Sequence, residues 1–221
     1  MPPRKRRRSS VSIKPRASKA DQALLLAQRN AAVLSKVEKK HLTTTVTDFD
    51  LFDGDANAIC DNLVVIPQGL TPITRMGARV KVTSLTCRYE CVSKSSGLLR
   101  VMLVYTNSPW LDASNYTAAE FLDAATPVSL LDKSKSNRFV VLMDRMHSLI
   151  PSNANSVDDE AQIHDKYFKH MGHIIEWSDS NTDGSEQDLE KGGLFLIALS
   201  KGFATADADF SYSARVTYSD A

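Results

Sequence analysis

From His41 onward the apolar residues of several short segments recur at every second position, and this period restricts the fold more than any other feature of the sequence. A two-residue period puts successive side chains on opposite faces of an extended backbone, as in a half-buried β-strand. The last stretch carries it most cleanly. Phe210, Tyr212, Ala214, Val216 and Tyr218 fall on one face, and Asp209, Ser211, Ser213, Arg215 and Thr217 on the other. Strands are expected at about Thr43–Phe52, Asn62–Ile66, Arg79–Val92, Leu98–Tyr105, Arg138–Met146, Ile163–Trp177, Leu194–Leu199 and Asp209–Tyr218. Turn-forming clusters separate them at Asp53-Gly54-Asp55, Pro67-Gln68-Gly69 and Lys94-Ser95-Ser96-Gly97, the last read as a hairpin between the third and fourth strands. Leu194–Leu199 is apolar on both faces, so it should be central and covered on both sides. Thr117–Ala124 reads as one helical insertion. The connections over 107–137 and 178–193 are long for a compact domain, and ordered loops of that length usually have a function. Eight strands with such uneven connections suit a double-sheet jelly roll better than an up-and-down barrel, so the fold class is all-β.

Ahead of this body lies a segment of different chemistry. Residues 1–40 hold twelve Lys and Arg against Asp21 and Glu38, a net charge of +10. The remaining residues hold fifteen Lys and Arg against twenty-four Asp and Glu, a net charge of −9, so the overall +1 conceals a basic appendage on an acidic body. Such segregation points to a polyanionic partner for the appendage. Residues 1–17 show no hydrophobic periodicity and contain three prolines, the composition of a disordered arm. Arg4, Lys5, Arg6, Arg7, Arg8, Lys14, Arg16 and Lys19 are the candidate nucleic-acid-binding residues, since each phosphate neutralised releases a counterion and favours binding of any sequence. Arg4–Arg8 would equally serve as a nuclear localisation signal read by an import receptor, and the two uses are compatible.

Ser18-Lys19-Ala20-Asp21 forms a capping box, and the run to about Lys39 lacks Gly and Pro, so an amphipathic helix is expected over 18–40. Ala23, Leu26, Asn30, Val33 and Val37 fall on one stripe, with Arg29, Lys36 and Lys39 opposite. That stripe either packs on its own domain or joins neighbouring subunits. In the second case Leu26, Asn30, Val33 and Val37 are the contact residues, with Asn30 setting register. The expected organisation is therefore an arm over 1–17, a helix over 18–40 and a β domain over 41–221. No apolar run approaches a membrane span, and the charged N-terminal stretch lacks the apolar region of a secretory signal. Cys60, Cys87 and Cys91 are too few and odd in number for a disulfide framework, which suggests a reducing compartment.

The order of several segments resembles that of a known family. Arg4–Arg8, Arg75-Met76-Gly77-Ala78-Arg79-Val80, Leu99-Arg100-Val101-Met102-Leu103-Val104-Tyr105, Asn137–Asp144, Lys191-Gly192-Gly193-Leu194-Phe195 and Arg215–Asp220 are similar in kind and sequence of appearance to the coat proteins of small circular single-stranded DNA viruses. The arm followed by a helix also resembles the coat protein of satellite tobacco necrosis virus. The resemblance spans nearly the whole chain but rests on order and spacing rather than on one diagnostic motif. It implies a virion protein that assembles with itself, with about sixty subunits to a small icosahedral shell. The arm would lie inside on single-stranded DNA or RNA, the long loops would form subunit contacts, and assembly would take place in the host nucleus. A non-viral nuclear β-sandwich module, binding nucleic acid or acting as a chaperone in a small oligomer, is the alternative.

Other clusters point elsewhere. Asp179, Asn181, Asp183 and Glu190, with Gly184 at the turn position, match the ligand spacing of an EF-hand calcium loop. Glu186 stands where that loop is normally apolar, and Gly192-Gly193 would break an exiting helix, so a polar connection between strands competes with a structural calcium site. Asp48, Asp50, Asp53 and Asp55 form one acidic cluster and Asp158-Asp159-Glu160 another, read as loop charges. On a strand His164 and His170 share a face and His173 points the other way. Cys87 and Cys91 share a face with Leu85 and Tyr89 and read as core thiols. No catalytic constellation, and so no enzyme and no cofactor, is expected.

Overall fold

The computed structural model describes residues 38–51, 58–71, 73–107, 116–152, 160–178, 182–184, 189–205 and 207–221. Nine strands run through them: β1 (Lys40–Asp50), β2 (Ile59–Asn62), β3 (Arg79–Ser93), β4 (Gly97–Thr106), β5 (Phe139–Leu149), β6 (Ala161–Trp177), β7 (Leu189–Lys191), β8 (Gly193–Lys201) and β9 (Ala208–Asp220). They form two antiparallel sheets, one of five strands in the order β1-β9-β3-β6-β7 and one of four in the order β2-β8-β4-β5. The architecture is an all-β sandwich. The ninth strand, absent from the expected eight, is β7, which pairs with β6 at Glu176 and Trp177.

The alternation read from sequence is the alternation that fills the core. Leu85, Cys87, Tyr89 and Cys91 on β3 and Phe210, Tyr212, Ala214 and Val216 on β9 point between the sheets, where they meet Leu99, Val101 and Leu103 of β4 and Leu194, Leu196 and Ala198 of β8. The Leu, Val and Phe side chains among them each contribute about 1.5–3 kcal/mol through burial. β8 lies between β2 and β4 and is buried on both faces, as its continuous apolar run requires. Its other face, Phe195, Ile197 and Leu199, joins Met102 and Val104 of β4 beneath Tyr116, Ala118, Phe121 and Leu122 of the β4–β5 connection. This long connection thus roofs the four-stranded sheet. Arg100 pins it down: the buried guanidinium donates to both carboxylate oxygens of Asp144 at 2.8 and 2.7 Å and to the carbonyls of Pro127 and Ser129.

Several expectations need correction. Lys94–Gly97 is not a hairpin: β3 is flanked by β9 and β6 and β4 by β8 and β5, so the turn carries the chain from one sheet to the other. Hairpins and corners use the same turn residues, and only the partners of the flanking strands distinguish them. The second strand ends at Asn62, whose side-chain oxygen accepts from the Val64 N–H at 3.0 Å. This local turn leaves Leu63, Val64 and Ile66 buried without being strand residues. The helical insertion reduces to one 3-10 turn at Ala118–Glu120, because Phe121 and Leu122 are drawn onto the sheet. β1 begins at Lys40 and carries a bulge near Asp48, which has φ 54°. The arm over 1–17 and the helix over 18–40, apart from its last three positions, lie outside the described residues.

Candidate functional site and assembly surfaces

The residues that sequence marked for function fall into three groups. Arg4, Lys5, Arg6, Arg7, Arg8, Lys14, Arg16 and Lys19, and the stripe Leu26, Asn30, Val33 and Val37, lie outside the described residues. Of the calcium candidates, Asp179 and Asn181 also lie outside, while Asp183 and Glu190 are placed. Asp183 sits close to Arg75, where its charge partly opposes the lowering of the guanidinium pKa by burial. Glu190 is an exposed residue of the short strand β7. Gly184 has φ 78°, and a Cβ there would lie 2.4 Å from the carbonyl oxygen of Ile66. Its carbonyl accepts from the indole N–H of Trp177 at 3.3 Å. Close backbone packing thus accounts for the glycine that resembled a calcium-loop turn. Among the described residues no group of three or more His, Cys, Asp or Glu is gathered for a metal.

The third group consists of polar and cysteine residues carried by the strands of the body and their ends. Asp50 and Asp209 face each other across β1 and β9. Burial raises the Asp209 pKa first, followed by its hydrogen bond with Asp50 and the charges of Asp50 and Asp48. Asp53, Asp55, Asp158 and Asp159 are outside the described residues, and Glu160 lies 3.8 Å from Lys94. The histidines fall as alternation requires: His173 turns inward to stack on Tyr105 with ring centroids 3.9 Å apart, whereas His164 and His170 are on the outer face. Cys87 and Cys91 are buried core thiols whose pKa values burial pushes up to about 12.

One cluster was missed in the sequence. The Tyr89 hydroxyl donates to Asp165 at 2.9 Å and lies 2.9 Å from His147 Nε2, and Arg145 closes on the same carboxylate. These hydrogen bonds tie β3, β5 and β6 together across the open edge of the sandwich. Burial lowers the His147 pKa; Asp165 opposes this and Arg145 adds to it. An acid at an inward position of β6 was the available signal, but its partners come from strands distant in sequence.

The exposed apolar residues collect on the connections and on a sheet edge. Leu70 is 91% exposed and stands with Val65, Ile73 and Met76 on the β2–β3 connection. That segment is not loosely attached. The buried Arg75 bonds the carbonyls of Ile66 and Gly77 and lies 4.6 Å over the Trp177 ring, and Lys40 reaches both Thr74 O and Asp220. Val128 and Leu130 protrude from the roof over the four-stranded sheet, and Val140, Met146 and Ile150 lie on or beside its edge strand β5. Rigidly held apolar groups and an open strand edge are features that association with another chain would cover.

No family model matches the sequence, and no curated protein matches it. Two of the solved structures that align with the chain do so loosely. One is a chain of the infectious bursal disease virus Gx strain, 13% identical over 80% of this chain, with a TM-score of 0.22. The present chain spans 32% of that chain's length. The other is from the unassembled KI polyomavirus VP1 pentamer, 11% identical over 82% of this chain and 72% of that one, with a TM-score of 0.12. Alignments this loose carry no weight for function.

Proposed function

We propose that this chain is a viral capsid protein that assembles into a small icosahedral shell, about sixty copies by the family resemblance, and packages nucleic acid through its basic N-terminal arm. The observation that carries the reading is the strand order. With the short β7 set aside, the sheets read β1-β9-β3-β6 and β2-β8-β4-β5, and every consecutive connection except β4–β5 passes from one sheet to the other. This is the double Greek key of a jelly roll, an architecture used by viral shells among others. Fold alone leaves function open. Two further features favour a shell: ten net positive charges lie ahead of and at the start of β1, and fixed apolar side chains protrude from the β2–β3 connection and the β5 edge. On this reading the partners are further copies of the chain and single-stranded DNA or RNA. An import receptor would carry the protein through Arg4–Arg8 to the host nucleus, and the role is structural rather than enzymatic.

The test is electron microscopy of the purified full chain, with absorbance at 260 and 280 nm on the same sample. Uniform closed particles rich in nucleic acid are expected, and Leu70→Asp with Ile73→Asp should give a folded protein that does not close. A small oligomer at every salt and pH would instead favour the nuclear binding module, whose basic segment fits equally well.

A further inference from the structure

We propose that the outer face of the five-stranded sheet is a second contact surface for single-stranded nucleic acid, one built into the body rather than the arm. The strand register lays its side chains out in rows. One row across β1, β9, β3 and β6 is Thr45, Ser213, Arg88 and Lys166; the next is Thr43, Arg215, Thr86 and Phe168; the third is His41, Thr217, Ser84 and His170. Strand and residue spacings make this a patch roughly 14 Å on a side. On a body of net charge −9 these three rows contain no carboxylate. They hold three full cations, two imidazoles, six hydroxyls and one aromatic ring, the groups that bind phosphate and stack on bases.

Two details favour a polyanion over a merely solvated face. Arg88 and Lys166 are directly opposite each other, where like charges repel, and among the described residues neither has a carboxylate within ion-pair distance. The nearest acid along the strand, Glu90, is engaged by His164 at 3.2 Å. A phosphate between the two cations would remove the repulsion. Phe168 is 53% exposed beside Thr86, with His170 edge-on at 4.8 Å, so an apolar ring stands in water among cations. A base stacked on that ring would cover it. A groove of about 560 Å³ borders the first row, lined by Thr45, Ser213, Arg88 and Lys166 on one side and by Ser211, Glu90 and His164 on the other. Binding through these groups is independent of sequence.

This inference deepens the packaging reading and is tested separately from it. In the full chain, Arg4, Lys5, Arg6, Arg7 and Arg8 are changed to Ala to suppress the arm, and binding of a labelled dT20 oligonucleotide is followed by anisotropy from 50 to 300 mM salt. Adding Arg88→Ala, Lys166→Ala and Arg215→Ala should weaken binding about tenfold or more and lower the log–log salt slope by about 2, the loss of three phosphate contacts. Phe168→Ala should weaken it roughly fivefold with the slope unchanged. The control is Lys133→Ala, Arg138→Ala and Lys201→Ala, exposed cations elsewhere on the body, which should leave affinity within twofold. Unchanged affinity in the face variant, equal loss in the control, or no binding at all once the arm is neutralised would each overturn the proposal. Failure of the unaltered chain to form particles would sink the capsid reading while leaving this measurement to stand.

Discussion

The two sheets have opposite outer faces. That of the four-stranded sheet is apolar, with Met102, Val104, Phe195, Ile197 and Leu199, and the chain spends a long connection covering it with Tyr116, Phe121 and Leu122. That of the five-stranded sheet carries hydroxyls and cations over its middle, with Glu90, Asp50 and Asp209 towards one end, and has no such roof among the described residues. The difference teaches that the roof is needed only where water must be excluded. A face left bare is under no packing constraint, so its composition is free to serve a ligand. Covering and charge thus separate the two sheets, one sealed by its own chain and one left polar among the described residues.

The comparison is sharpened most by attacking the covered face. Phe195 is fully buried, with ring centroids 4.4 Å from Tyr116 and 5.9 Å from Phe121. Phe195→Ala should cost about 3–5 kcal/mol, whereas Thr86→Ala on the bare face should stay within about 0.5 kcal/mol. Paired denaturant titrations give both values; equal costs would mean that the faces do not differ in packing.

Next comes the pin that holds the roof. Arg100→Met keeps the aliphatic volume but removes the donors to Asp144, Pro127 and Ser129. A loss of about 3 kcal/mol is expected. Residues 123–130 should then become the first site of limited proteolysis, while the five-stranded sheet keeps its hydrogen-exchange protection. Protection lost evenly across both sheets would show the roof to be part of one cooperative unit rather than a separate cover.

Much of this division was legible in sequence. The two-faced apolar run of Leu194–Leu199 announced a covered strand, and the polar alternation of Asp209–Thr217 announced a bare face. What covers β8 was not legible. Tyr116, Phe121 and Leu122 carry no period, and their destination depends on Phe195 and its neighbours on β8, far along the chain. The corner at Lys94–Gly97 was misread because a turn's composition does not report whether the next strand stays in its sheet. The three cationic rows were hidden for a related reason: Arg88, Lys166 and Arg215 come from three strands, and only the register sets them side by side. The arm was legible as charge alone.

A smaller effect belongs to the interior between the two faces. Burial lowers the pKa of both His147 and His173, with Arg145 adding to the first and Lys169 to the second, while Asp165 opposes at His147. The native state therefore binds fewer protons than the unfolded chain once the pH falls below the ordinary histidine value of about 6.5, so stability should decline on acidification from there. Melting temperature measured from pH 7.5 to 5.5 should fall, and His147→Gln with His173→Gln should flatten the trend. A slope identical to that of the unaltered chain would assign acid sensitivity to other groups, and Asp209 cannot supply it. Its raised pKa means the native state binds more protons, which favours folding as pH falls through the carboxylate range.

The smallest effect is the most telling for the bare face. Lys166 opposes Arg88 without a carboxylate in reach among the described residues, so Lys166→Gln relieves a like-charge pair. In nucleic-acid-free protein at low salt it should stabilise by about 0.2–0.5 kcal/mol, and the gain should vanish near 1 M salt, where screening extends to about 3 Å. With dT20 present the sign should reverse, because the oligonucleotide stabilises the unaltered chain by binding its folded state and the variant loses part of that. Charge retained at a cost in the free protein and recovered with a polyanion separates a binding surface from a merely soluble one. A substitution neutral in both conditions would reduce the face to a solvated sheet.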